Sequence, residues 1–233
     1  MCQRASRPRL NRRVIRQHTW LSLRVSMLRL FQQLLWMLSD RATLHGYPVA
    51  YGVSGAECPE LRARLEGALC LLAEVRPRWL QRMRHYVRRI QVREVIDSLG
   101  KWHHAARLVE LDAAYLCMAT TSISDIASTL VHEFTHARID AAGVAYFKAG
   151  RVRVERACLA QELVFARSLN ESEARAALIS RLERAWAEAE SIWSDDADQR
   201  RAHHAADVLG IPRWIVGGAW RYRKWRERIR HAA

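Results

Sequence analysis

The chain has 233 residues, half of them hydrophobic, and carries 38 Lys and Arg against 24 Asp and Glu, for a formal net charge of +14. This hydrophobic content excludes a disordered chain, and the length suffices for a single domain with a substantial core. The five cysteines are odd in number and form no Cys-x-x-Cys pair, which indicates a reducing compartment rather than a disulfide framework.

The positive charge is almost wholly arginine, and it is spread along the chain with the highest density at the two ends. A charge of this size can attract nucleic acid or an anionic membrane surface. We favour a plainer interpretation, in which arginine takes the place of lysine on solvated helix faces. Binding to either surface is kept as an alternative.

The N-terminal region divides into two parts. Residues 1–16 are basic and polar, which predicts a disordered arm, and residues 17–233 are expected to form one domain. Residues 20–38 are rich in apolar side chains, but Arg24 and Arg29 interrupt them, so an amphipathic helix packed on the domain is expected rather than a membrane span. We recognise no signal peptide, and therefore expect a cytoplasmic protein, with peripheral membrane association as the alternative.

Three short strands are predicted in the middle of the chain. Residues 89–95 alternate between polar and apolar with period two, and residues 106–111 and 115–118 are two further strand candidates. The glycine-punctuated residues 46–55 indicate an extended segment or a loop. Helices are expected over most of the rest, including the region beyond residue 170. The predicted fold class is therefore α+β, mostly helical, with a small three-stranded sheet.

A helical run with a His-Glu-x-x-His sequence follows these strands. Ser122 or Ser124 can cap it. His132 and His136 lie four residues apart on one helical face, so their imidazoles can bind one cation, and Glu133 lies beside them. The spacing of the apolar residues predicts the helix: Ile123, Ile126, Ala127, Leu130, Val131, Phe134 and Ala137.

A third ligand is expected from the next helical run, residues 154–169. Glu155 follows His136 after eighteen residues, a connection long enough for an antiparallel helix to return to the metal. Cys158 lies on the same face, three residues later. We expect Cys158 to be a core residue, because a thiolate ligand would close the position that a catalytic water needs.

His132-Glu133-x-x-His136 followed by Glu155 resembles the pattern of gluzincin metallopeptidases, including the small single-domain minigluzincins. The resemblance covers residues 123–162. It implies a zincin-like domain in which His132, His136 and Glu155 bind Zn²⁺ and Glu133 is the general base. It also implies an edge strand that pairs with an extended substrate, for which residues 115–118 are the candidate.

The chain departs from the thermolysin-like pattern at Leu159, where those enzymes carry an acidic residue one turn after the ligand glutamate. Asp140 and Glu162 are both candidates for the carboxylate that orients an imidazole. The resemblance also implies a Tyr or His that binds the oxyanion. The sequence leaves Tyr146, His203 and His204 open for that role.

The resulting prediction is a zinc-dependent hydrolase of peptide bonds acting on a peptide or protein. The aminopeptidase sequence Gly-x-Met-Glu-Asn does not occur, so an endopeptidase or a selective processing enzyme is expected. Two alternatives remain. One is a regulatory metallopeptidase of the ImmA/IrrE type, and the other is a non-catalytic basic helical module that binds nucleic acid or membrane.

Overall fold

The computed structural model describes residues 36–37, 39–52, 60–96, 98–144 and 150–221. In these residues the chain forms a mostly helical α+β fold with a five-stranded sheet, which confirms the predicted fold class. The predicted arm at 1–16 and nearly all of the predicted amphipathic helix at 20–38 lie outside the described residues. No helix within the described ranges combines the length and apolarity that crossing a bilayer requires.

The described strands lie within residues 40–112, where two helices interrupt them, and the elements after residue 112 are helices. The strands are β1 (Asp40–Leu44), β2 (Tyr47–Tyr51), β3 (Arg89–Arg93), β4 (Gly100–His103) and β5 (Leu108–Asp112). The helices are α1 (Glu60–Val75), α2 (Pro77–Met83), α3 (Ala113–Cys117), α4 (Ile123–Ala141), α5 (Arg151–Ser168), α6 (Glu173–Ala187), α7 (Ala189–Ile192) and α8 (Asp195–Val208). Residues 213–221 are also helical.

The sheet has the strand order β1-β2-β3-β5-β4. Its three central strands, β2, β3 and β5, run parallel, and the outer strands β1 and β4 pair antiparallel with β2 and β5. The strands predicted at 89–95 and 106–111 are present with shifted bounds, as β3 and β5. The sheet exceeds the predicted three strands because β1, β2 and β4 join it.

The strand predicted at residues 115–118 is wrong, because residues 115–117 lie in helix α3 and Met118 follows at its end. Asp112 ends β5 and caps the helix, accepting a hydrogen bond from the backbone N–H of Tyr115 at 3.0 Å. A run of four apolar residues cannot distinguish a strand from a buried helical turn. Here the hydrogen bond of the Asp112 cap stabilises the helix. The edge strand that lies against α4 is β4 instead.

The core lies between one face of the sheet and helices α1 and α4. Ile90, Val92, Val109 and Leu111 are fully buried on the sheet side. On α4, Phe134 packs against Tyr47 and Trp79, with ring centroids 5.3 and 5.9 Å apart. The buried stripe of α4 thus fixes the helix on the sheet, and the residues just outside that stripe are held in defined positions.

Candidate metal centre

Helix α4 presents two imidazoles on one face. Its start is fixed by a capping box, in which the Ser122 side chain accepts from the N–H of Asp125 and the Asp125 carboxylate accepts from the N–H of Ser122. This confirms Ser122 as the cap. Two and a half turns later, the Nε2 atoms of His132 and His136 lie 3.1 Å apart.

Helix α5 brings a carboxylate to these imidazoles. It runs antiparallel to α4, because Glu155 at its start contacts His132, and Glu162 farther along contacts Ser128. Glu155 Oε2 lies 3.1 Å from His132 Nε2 and 3.6 Å from His136 Nε2. In a tetrahedral zinc site with bonds of about 2.0–2.1 Å, the ligand atoms lie roughly 3.3 Å apart. The three atoms therefore fit a zinc ion between them.

The other ring nitrogen of His132 is oriented by Glu162. His132 Nδ1 lies 2.7 Å from Glu162 Oε1, and the hydroxyl of Ser128 donates to Glu162 Oε2 at 2.6 Å. With Nδ1 bound in this way, Nε2 is directed towards Glu155. A histidine ligand whose second nitrogen binds a carboxylate is typical of protein metal sites.

Asp140, the other candidate for this role, points to the sheet edge. Its Oδ2 accepts from Trp102 Nε1 at 3.1 Å and lies 2.5 Å from His104 Nδ1. His103, next in the chain, is directed elsewhere, with its Nε2 2.6 Å from Glu110 Oε2. The His104 side chain is largely exposed there, whereas only 13% of the His103 side chain is exposed.

Burial and neighbouring charges shift the pKa values of the centre in opposite directions. Burial alone would lower the pKa of His132, but the Glu162 and Glu155 carboxylates outweigh it and raise the pKa well above its ordinary value. Burial alone would raise the pKa of Glu155, but the hydrogen bonds of His132 and His136 hold it well below its usual range. The two carboxylates therefore favour positive charge on His132.

Glu133, the predicted general base, is buried next to the imidazoles. The residue is 6% exposed, and burial raises the pKa of its carboxyl while the charges of His132 and His136 oppose that rise. Its aliphatic part lies against Gly100 of β4, where an added Cβ would stand only 3.0 Å from Glu133 Cγ. The glycine thus allows the edge strand to approach this carboxylate, a role that the sequence patterns did not reveal.

Cys158 is closer to the centre than the sequence predicted. It is fully buried, as expected of a core residue, and burial raises the pKa of its thiol. However, His132, His136 and Cys158 also form a group whose ligand atoms all lie within 4.8 Å of one another. The imidazoles therefore face two residues of α5 that can ligate a metal. The carboxylate oxygen of Glu155 already lies at ligand spacing from both nitrogens.

The candidates for oxyanion binding are not brought together by what the structure describes. Tyr146 lies outside the described residues. His203 and His204 lie on α8, which the ion pair between Arg151 and Asp198 connects to the start of α5. The oxyanion-binding residue stays a prediction.

Comparisons with protein-family models, with curated proteins and with solved structures found no significant match to the chain. The resemblance to gluzincins is therefore carried by the residues of the centre themselves.

Proposed function

We propose that the protein is a zinc-dependent hydrolase of peptide bonds. The observation that carries this proposal is the convergence of His132 Nε2, His136 Nε2 and Glu155 Oε2 within 3.1–3.6 Å of one another. Three protein ligands leave a fourth position for water or substrate, which is the arrangement of catalytic rather than structural zinc sites. Two imidazoles and a carboxylate favour zinc over calcium or magnesium, which prefer oxygen ligands.

The residues around the ligands have separate roles in this proposal. Zinc, when bound, supplies a Lewis acid that activates water and polarises a carbonyl group. Glu133 accepts the proton of the attacking water and passes it to the leaving amine. Glu162 holds His132 in the orientation and tautomer that expose Nε2 to the metal. The burial of Glu133 keeps bulk water from competing for its proton.

The position of β4 supports a peptide as the substrate. Among the described strands β4 ends the sheet on the side next to α4, and it pairs with β5 along its other edge. An extended peptide can add to such an edge through backbone hydrogen bonds. Because Gly100 of β4 lies against Glu133, a peptide bound along this strand would pass close to the proposed base.

The proposal is tested by hydrolysis of an unfolded protein and of a mixed peptide library by the zinc-loaded chain. Glu133→Gln should keep zinc and lower the rate by about 10²–10⁴-fold, the usual contribution of a general base. Glu171→Gln, at a side chain that is 96% exposed, is the matched control and should leave the rate unchanged. Cleavage that persists unchanged in Glu133→Gln, or after removal of zinc by a chelator, would refute the proposal.

A further inference from the structure

Cys158 is placed to do more than fill the core. It lies one helical turn after Glu155 on the face of α5 that meets α4, and it is fully buried. Its sulfur lies within 4.8 Å of ring nitrogens of both His132 and His136. A buried sulfur near two imidazoles that already face a carboxylate is a fourth metal-ligating group in one small volume.

The distances allow this sulfur to reach a shared metal. With Zn–S of about 2.3 Å and Zn–N of about 2.0–2.1 Å, the sulfur and nitrogen atoms of a tetrahedral site lie roughly 3.6 Å apart. From a separation of at most 4.8 Å, the sulfur has to move by at most about 1.2 Å towards each nitrogen to reach this spacing. Thiolate is moreover a preferred ligand of zinc, and metal binding releases the thiol proton to solvent.

We infer that Cys158 is a fourth zinc ligand, which closes the metal centre when no substrate is bound. The inference rests on the proposed function for the presence of zinc in the centre. With Cys158 bound, the metal has four protein ligands, as in sites that do not turn over substrate. When water or substrate takes the place of Cys158 and the released thiolate takes up a proton from solvent, His132, His136 and Glu155 remain as ligands and the position that catalysis needs is restored. The thiol would thus regulate the centre from inside the fold.

Cobalt in place of zinc tests the inference without any measurement of activity. The full chain is loaded with Co²⁺ under a phosphine reductant, which does not compete for the metal as thiols do. The wild type should show a thiolate-to-cobalt charge-transfer band in the near ultraviolet, together with the visible bands of four-coordinate cobalt. Cys158→Ala and the more conservative Cys158→Ser should keep the visible bands and lose the charge-transfer band.

Cys117→Ala is the matched control, since Cys117 lies at the end of α3 and does not belong to the cluster of His132, His136 and Cys158, and it should retain both sets of bands. Wild-type protein that binds cobalt without a charge-transfer band would overturn the inference and leave the proposed metal centre standing. A charge-transfer band that survives in Cys158→Ala would also overturn it, because another cysteine would then be the source. A wild type that binds no cobalt or zinc would overturn the proposed function, and the inference with it.

Discussion

His132 is held from both sides of its ring by residues of one neighbouring helix. Glu162 lies at Nδ1, and Glu155 lies at Nε2. Ser128, one turn before His132 on α4, donates to the second oxygen of Glu162 and so fixes the carboxylate that fixes the imidazole. The position of this proposed metal ligand thus depends on Glu162 and Ser128, neither of which is itself a proposed ligand.

Replacement of Glu162 should therefore weaken zinc binding. We expect Glu162→Ala to lower the zinc affinity by about 10–100-fold, the usual cost of losing such a supporting carboxylate, and Glu162→Gln to lower it less. Competition with a coloured chelator measures the affinity. Asp140→Ala is the matched control, since Asp140 bonds to Trp102 and His104. An equal loss of affinity in Asp140→Ala would show that the assignment of Glu162 is wrong.

At the scale of the element, β4 and α4 approach each other through Gly100. A Cβ at this position would lie 3.0 Å from Glu133 Cγ, 3.1 Å from Thr129 Cγ2 and 3.3 Å from the backbone oxygen of Glu110. These contacts are too short to keep without movement. The backbone oxygen cannot rotate away, so the strand or the Glu133 side chain has to shift.

We therefore expect Gly100→Ala to reduce peptide hydrolysis while zinc binding is kept. Overpacking of this kind costs about 1–3 kcal/mol in unfolding free energy, and the displaced base lowers the rate further. Gly217→Ala is the control, since an added Cβ there meets nothing within 4 Å. The hydrolysis rate and the zinc content are measured on the same preparations. Full activity in Gly100→Ala would contradict the proposed role of this contact.

The opposite face of the sheet carries a buried ionic cluster. Glu110 of β5 is 1% exposed, and its carboxylate accepts from Arg93 Nε at 2.6 Å and lies 2.6 Å from His103 Nε2. Burial alone would raise the pKa of Glu110, but the hydrogen bond and charge of His103, together with Arg93, hold it below its ordinary value of 4.5. The cluster joins β3, β4 and β5 and so supports the edge strand.

This depressed pKa makes stability depend on pH in the acid range. The contribution of the ionised Glu110 is fully present above about pH 4.5 and is lost as the pH falls through the lower pKa of the folded state. Glu110→Gln should destabilise the protein by about 3 kcal/mol at pH 6 and make the unfolding free energy less dependent on pH below 4.5. Urea unfolding of the wild type, Glu110→Gln and the exposed control Glu171→Gln measures both effects. Parallel pH curves for the wild type and Glu110→Gln would contradict this account.

Sequence patterns predicted the helices of the centre better than the sheet beside it. The apolar spacing and the Ser-x-x-Asp start of α4, and the position of Glu155 on α5, are local signals that the fold preserves. Strand β4 has four residues, begins with a glycine and carries no clear alternation, so its pairing with β5 depends on contacts that are distant in sequence. Glu162 and Asp140 were the two candidates for the carboxylate that orients a ligand imidazole. Only the packing of α4 on α5 distinguishes them.

At the scale of the whole molecule, the centre joins the sheet-packed helix α4 to the helix that follows it. The sheet and α4 precede the connection between α4 and α5, and the candidate ligand atoms lie on both sides of that connection. A ligand that binds only the folded state stabilises it by about 2.7 kcal/mol at a hundred times its dissociation constant. Zinc at that excess should therefore raise the unfolding temperature by roughly 5–10 °C, given about 2–4 °C per kcal/mol for a chain of this size.

This rise in the unfolding temperature should vanish with a chelator and in Glu155→Ala. Magnesium should not reproduce it, because the proposed site offers nitrogen ligands. Thermal unfolding followed by circular dichroism measures the shift. An equal rise in Glu155→Ala would place the metal elsewhere in the chain.

The measurement that tests the central claim most directly is the zinc content of the purified, zinc-loaded protein by elemental analysis. The variants are the wild type, His132→Ala, Glu155→Ala and Glu133→Gln. We predict one zinc per chain in the wild type and in Glu133→Gln, and little or none in the two ligand variants. A wild type that holds no zinc would contradict the metal centre itself, and full zinc in Glu155→Ala would contradict the assignment of its third ligand.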